Sequence, residues 1–165
     1  MAATTTRETA FQVRAMLCDT AVVAEGKLYI QGGGWNQLNS PSFPFQLPRL
    51  GIAIVMDVDW NSTNKAHHLK VELVDEDGQP HTIPTLGEDG QEVAGAIRAE
   101  ADFTIGRPPN VIPGDYQILS FAMNFDGIPF SKPGAYNLII AIDDYEYERL
   151  TFRVLSAVPS QFRMG

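Results

Sequence analysis

Apolar side chains recur at every second position over much of this chain. The clearest case runs from Pro133 to Leu155. There Tyr136, Leu138, Ile140 and Ile142 alternate with Ala135, Asn137, Ile139 and Ala141. Leu150, Phe152 and Val154 repeat the spacing on the return, against Thr151 and Arg153. A period of two is that of a pleated strand, and both flanks are rich in β-branched and aromatic residues. Pro133-Gly134 marks a turn before the first strand. The stretch predicts two long strands joined by a tight acidic turn. Such a hairpin needs a second layer to bury its apolar face.

The same pattern organises the rest. Residues 1–10 are small and polar and read as a disordered tail. Gln12–Cys18 predicts a first strand, and Asp19–Glu25 a connecting stretch holding Val22 and Val23. Lys27–Gln31 predicts a second strand, ending in Gly32-Gly33-Gly34-Trp35. Asn39–Pro48 carries three prolines and reads as an extended connection between layers. Arg49–Trp60 is the third strand, with Ile52, Ile54, Met56 and Val58 on one face and Ala53, Val55, Asp57 and Asp59 on the other. His68–Val74 is the fourth, closed by the turn signal Asp75-Glu76-Asp77-Gly78. Residues 79–95 read as a long loop with a short strand near Ile83. Glycines in the window 87–101 disfavour more than one short helix there. Ile97–Ile105 and Tyr116–Phe125 are the fifth and sixth strands, separated by a Pro-rich loop, and residues 126–133 lead to the terminal hairpin. The expectation is all-β: an antiparallel immunoglobulin-like β-sandwich of about seven to nine strands, with a closed barrel as the alternative. One domain spans residues 11–156, and residues 157–165 form a C-terminal tail.

Charge and cysteine content narrow the partners. Twelve basic and twenty acidic residues leave a net charge of −8, which disfavours nucleic-acid phosphates and anionic membrane surfaces. No apolar run reaches the roughly 18 residues needed to span a bilayer. The N-terminal stretch has no apolar segment of the signal-peptide kind. A lone cysteine, Cys18, forms no internal disulfide. These features together predict a cytoplasmic protein.

Candidate chemistry is sparse. Gly32-Gly33-Gly34 lacks the helix and the Gly-Lys-Ser that a phosphate loop uses, so it reads as a bulge or strand crossing. The acidic pairs Asp57/Asp59 and Asp75/Asp77 are calcium candidates, because calcium takes six to eight oxygens from converging loops. The competing reading is solvated turns. His67 and His68 are adjacent and face opposite sides of a strand, so they cannot both hold one metal. No nucleophile-elbow, zincin or Cys–His signature occurs, and Cys18 beside Met16 and Leu17 reads as a small buried hydrophobe. Trp35 and Trp60 read as core. Phe43 and Phe45 flank Pro44 in a loop and are the candidates for a partner surface.

Four segments together carry a resemblance: Ala15-Met16-Leu17-Cys18-Asp19; Gly26-Lys27-Leu28 to Gly32-Gly33-Gly34-Trp35; Phe103 to Gly106-Arg107-Pro108-Pro109; and Pro133-Gly134-Ala135-Tyr136 to Phe152-Arg153-Val154. Over residues 12–155 the chain resembles a family of uncharacterised bacterial, mainly actinobacterial, proteins carried as a domain of unknown function. The resemblance implies a small soluble β-sandwich and brings no activity, cofactor or catalytic residue. The resulting expectation is a non-enzymatic module, without cofactor, that binds another protein or itself. The alternatives are a calcium-binding sandwich domain and a hydrolase with a dispersed carboxylate pair, which would carry no local motif.

Overall fold

A computed structural model describes residues 10–157. It is nearly all β. Twelve strands are present among the described residues. In chain order they are β1 (Phe11–Cys18), β2 (Thr20–Ala24), β3 (Lys27–Gln31), β4 (Gln37–Ser40), β5 (Phe45–Val58), β6 (Ala66–Asp75), β7 (Thr82–Leu86), β8 (Glu92–Ala96), β9 (Arg98–Thr104), β10 (Gln117–Phe130), β11 (Gly134–Ile142) and β12 (Tyr145–Ser156). Among the described residues one 3-10 turn, Trp60–Ser62, follows β5.

Eight strands form the two layers. A three-stranded sheet has the order β1-β5-β10, and a five-stranded sheet the order β4-β12-β11-β6-β9. The alternation read from the sequence decides which face each sheet buries. Val13, Ala15 and Leu17 of β1 sit opposite Met56, Ile54 and Ile52 of β5. Leu119, Phe121 and Met123 of β10 flank the same three β5 residues from the other side. Across the core lie Leu69, Val71 and Leu73 of β6, paired with Ile142, Ile140 and Leu138 of β11. One apolar cluster joins these inner faces, with Phe130, Phe152 and Tyr136 closing one end. The β11–β12 turn is Asp143-Asp144, both at positive φ, the two-residue geometry that matches strand twist.

Several segments depart from the expected pattern. Residues 19–25 are no mere connection: β2 pairs with β3 through a two-residue turn, Glu25-Gly26, again with both φ positive. The proline-rich stretch 39–48 contains the end of β4 and the start of β5. Pro48 stands opposite Gly127 (φ +66°), at a position where β5 and β10 form no pair although the register runs on unchanged, so its missing N–H is tolerated. Residues 79–95, expected as a long loop with a short strand near Ile83, form most of the hairpin β7–β8; the short strand is β7, and β8 is the addition. β10 runs on to Phe130 rather than ending near Phe125. β4 joins β12 in parallel, so the five-stranded sheet is not wholly antiparallel. The expected tails touch the body at their inner ends. Ala10 O accepts from Asp59 N, and Ala157 N donates to Ser40 O. The remainder of both tails lies outside the described residues.

Candidate interaction face

The outer face of the three-stranded sheet differs from an ordinary solvated face. Its rows, taken across β1, β5 and β10, are Gln12–Asp57–Ile118, Arg14–Val55–Ser120, Met16–Ala53–Ala122 and Cys18–Gly51–Asn124. Small and apolar residues dominate the middle. A half-solvated antiparallel sheet would carry polar side chains there.

The β2–β3 hairpin covers part of this face. Cys18, Ala21 and Ala53 bury together beneath it, with Leu28 and Ala122 packed alongside. The backbones approach closely because Gly51 has no side chain. A Cβ there would lie 2.8 Å from Cys18 Sγ and 3.0 Å from Thr20 Cα. Asn124 fastens the hairpin as a peptide group would: Ala21 N donates to its Oδ1 (3.0 Å), and its Nδ2 donates to Ala21 O (2.9 Å). The base of the hairpin is tied as well, with Asp19 N donating to Gln31 O and Gly32 O. The Gly32–Gly34 run is thus the crossing back from the hairpin, and Gly34 N donates to Leu17 O. Burial pushes the Cys18 thiol pKa up, with Asp19 adding to it, which keeps the thiolate scarce.

Beside the hairpin an apolar groove remains open. Met16, Leu28, Ile30, Ala53 and Val55 line it around a volume of about 250 Å³, with Arg14 at its rim. Arg14 forms a two-pronged ion pair with Asp57 (2.7 and 2.9 Å). Met16 and Ile30 are each 41% exposed, and on the hairpin's outward face the paired Val22 and Tyr29 are more than half exposed. This face is where apolar surface concentrates in the open.

The sequence candidates fall elsewhere. Phe43 and Phe45 pack against the core and are half-buried, with the Phe45 ring stacked 6.2 Å from Phe130. They are therefore poor candidates for a partner surface. Asp57 and Asp59 share a polar cleft of about 290 Å³ with Gln12, Gly114 and Tyr116. Both oxygens of Asp57 are taken by Arg14, and Asp59 caps the 3-10 turn by accepting from Asn61 N. Asp75 closes its own turn by accepting from Asp77 N and Gln79 N. The two acidic pairs stand at opposite ends of the sandwich. Asp57 and Asp59 close β5, whereas Asp75 pairs with Tyr136, which packs on Phe130 opposite the start of β5. No group of three His, Cys, Asp or Glu side chains placed to hold a metal occurs among the described residues.

Each histidine ring has a polar partner within the chain. His67 lies on the inner face against Phe11 and Phe103, its Nδ1 2.7 Å from Asp143 Oδ2 and its Nε2 2.7 Å from Ser62 O. His68 points outward, with Nδ1 2.7 Å from Asp102 Oδ1, and this contact raises its pKa. His81 stacks on Phe130, with Nε2 2.7 Å from Pro129 O. Trp60 takes the Arg107 guanidinium on its ring at 4.1 Å, and Trp35 meets Phe152 edge-on. Sequence reasoning missed the outer-face groove. The alternation of Met16, Ala53 and Val55 with the core residues marked a second face, but nothing local showed that a hairpin would fold over it.

These features define an all-β sandwich-like module with one part-covered apolar face. The chain belongs to a family of unknown function, DUF6941, whose model matches residues 13–155. No curated protein matches it. Among solved structures it is similar to the Pseudomonas fluorescens alkylpurine DNA glycosylase AlkC bound to DNA containing an abasic site analogue, at 6% identity and a TM-score of 0.40, covering 88% of this chain. It is also similar to the beta-glucosidase from Listeria innocua in complex with isofagomine, at 7% identity and a TM-score of 0.40, covering 90% of this chain. The chain spans 30% and 16% of those two proteins. No helix among the described residues is long and apolar enough to cross a membrane.

Proposed function

We propose that this protein is a non-enzymatic protein-interaction module, and that its contact surface is the outer face of β1-β5-β10 with its overhanging hairpin. The observation that carries the reading is the groove between Ile30 and Leu28 on one side and Met16, Ala53 and Val55 on the other. Burying apolar area of this kind against a partner stabilises a complex by about 25 cal/mol per Å² before association costs. The rim pair Arg14–Asp57 would orient a partner rather than add much affinity. An immunoglobulin-like character for the sandwich and a cytoplasmic setting belong to the same proposal. The first is supported by the two packed sheets, the second by the acidic composition and the free thiol of Cys18.

The test is affinity capture of the tagged chain from its own cells, with mass spectrometry, beside a Met16→Lys/Ile30→Lys double variant. Both side chains are substantially exposed, so the variant should melt within a degree or two of the parent. The expected result is a defined partner held by the parent and lost by the variant. Identical captures from the two proteins would remove this face as the docking surface.

A further inference from the structure

The three-stranded sheet leaves one long edge open. β10 bonds to β5 along one side, and among the described residues no strand pairs with its other side. Its fourteen residues carry a single charge, Asp126, and Arg49 already neutralises that carboxylate through bonds of 2.6 and 3.2 Å.

The other edges of the two main sheets are guarded. β9 presents Arg98, Glu100 and Asp102 to solvent. β4 is four residues long. β1 runs beside β12, with the Phe11 and Tyr147 rings 5.5 Å apart and Trp35 at the far end of the gap. Charged, short or covered edges are how sheets avoid pairing with other chains. β10 has such protection at its C-terminal end, where Pro129 has no N–H and Pro129 O already meets His81, while the β2–β3 hairpin overlies its outer face at Ala122 and Asn124. Along residues 117–126 no strand of the described residues pairs with this side.

We propose that this edge pairs with the same edge of a second copy, antiparallel about a two-fold axis, giving one continuous six-stranded sheet. The inference deepens the interaction reading and rests on it. Two observations favour a second copy as the occupant. In any two-fold register centred between residues 117 and 125, no like charges stand opposite each other, because Asp126 is the strand's only charge. Exposed apolar residues also gather where the edge begins. Ile112, Tyr116 and Ile118 are each more than 60% exposed, and a two-fold mate would cover them. The net charge of −8 opposes self-association through space. The dimer should therefore tighten as salt screens that repulsion, whereas binding of a basic partner would weaken.

Sedimentation of the full chain from about 1 to about 200 μM brackets a micromolar dissociation constant. The weight-average mass is expected to rise from 18.1 kDa towards twice that value, and to rise sooner at high salt. Ile118→Lys with Ser120→Lys puts like charges on the outer side of this edge. The double variant should stay monomeric with an unchanged melting midpoint. Hydrogen exchange on the unmodified chain supplies a reading that needs no variant. Alternate amides within residues 117–126 should be protected at high concentration and exchange fast on dilution. A chain that stays monomeric throughout, or a dimer whose formation leaves these amides unprotected, overturns the proposal. A monomeric chain that still loses its captured partner through Met16→Lys/Ile30→Lys would refute the dimer alone and leave the groove reading intact.

Discussion

Gly51→Ala tests whether the β2–β3 hairpin is seated on the sheet as described. The added methyl would meet Cys18 Sγ at 2.8 Å, Cys18 O at 3.0 Å and Thr20 Cα at 3.0 Å. Ordinary contact begins near 3.4 Å, so these neighbours must retreat by roughly half an ångström. Two of them are backbone atoms, at the junction where β1 turns into the hairpin, so a side-chain rotation cannot relieve the clash. Overpacking of this kind costs about 1–3 kcal/mol. Against it stands the lower entropy of an unfolded chain with alanine in place of glycine, a gain of about 0.4–1 kcal/mol. The clash wins, and the expected net loss is about 1–2 kcal/mol.

Urea unfolding with an unchanged m value measures that loss, and Gly106→Ala is the matched control. A Cβ at Gly106 meets nothing within 4 Å, so that variant should be neutral or gain a few tenths of a kcal/mol. Thiol labelling gives a second readout, since lifting the hairpin uncovers Cys18 and should speed its reaction. If Gly51→Ala were as stable as the parent, with Cys18 labelled no faster, the hairpin would not rest on Gly51, and the groove beside it would lose its overhanging wall.

Other outcomes follow from the same geometry. Ile140 and Phe152 are at most 1% exposed, so Ile140→Ala and Phe152→Ala should each cost about 2–5 kcal/mol by urea unfolding; a loss below about 1 kcal/mol would put them on the wrong face. Native Cys18 should react slowly with a thiol reagent and quickly in denaturant, because burial raises its pKa and hides its sulfur. Burial pushes the Asp143 carboxyl up, but the His67 and His68 hydrogen bonds outweigh it and hold it below its ordinary value. A depressed folded value contributes stability that is present above the unfolded pKa and lost as pH falls through the folded one. Asp143→Asn should therefore cost about 1 kcal/mol at neutral pH, small because the carboxylate is partly solvated, and the difference from the parent should shrink below about pH 3 in acid titration. Adding 1 mM calcium to a site with Kd near 10 μM would add about 2.7 kcal/mol and raise the midpoint by several degrees. No rise is expected in a melting scan, because the acidic pairs sit at opposite ends of the sandwich and their oxygens serve Arg14 and turn amides; a rise with calcium alone, abolished by Asp57→Asn/Asp59→Asn, would reverse that.

The core was legible because burial on one face of a strand writes itself as a period of two. Ile52 to Val58 and Tyr136 to Ile142 could be placed from the sequence for that reason alone. Turn chemistry was legible where side-chain type governs φ, as at Asp75–Gly78. What failed to show was contact made by absence. The hairpin closes on the sheet through Gly51, Ala21, Ala53 and Ala122, residues chosen for lacking bulk, and small residues leave no periodic trace. Asn124 acts as a surrogate peptide group, which its place in an alternating strand does not announce. Residues 39–48 do connect the two layers, as expected, but strands β4 and β5 run into both ends of the stretch, which the prolines concealed. Proline excludes a helix but not a strand, provided its missing N–H falls where the ladder already skips a bond, and whether it does depends on the partner strand. Gly127, far along the chain, is the residue opposite Pro48, and no pair forms between them. The same logic sets the value of the β10 edge. A strand's own residues say that it is a strand; only the whole topology says which of its sides has been left without a neighbour, and it is that unsatisfied side, with Ile118 exposed beside it, that a second chain can read.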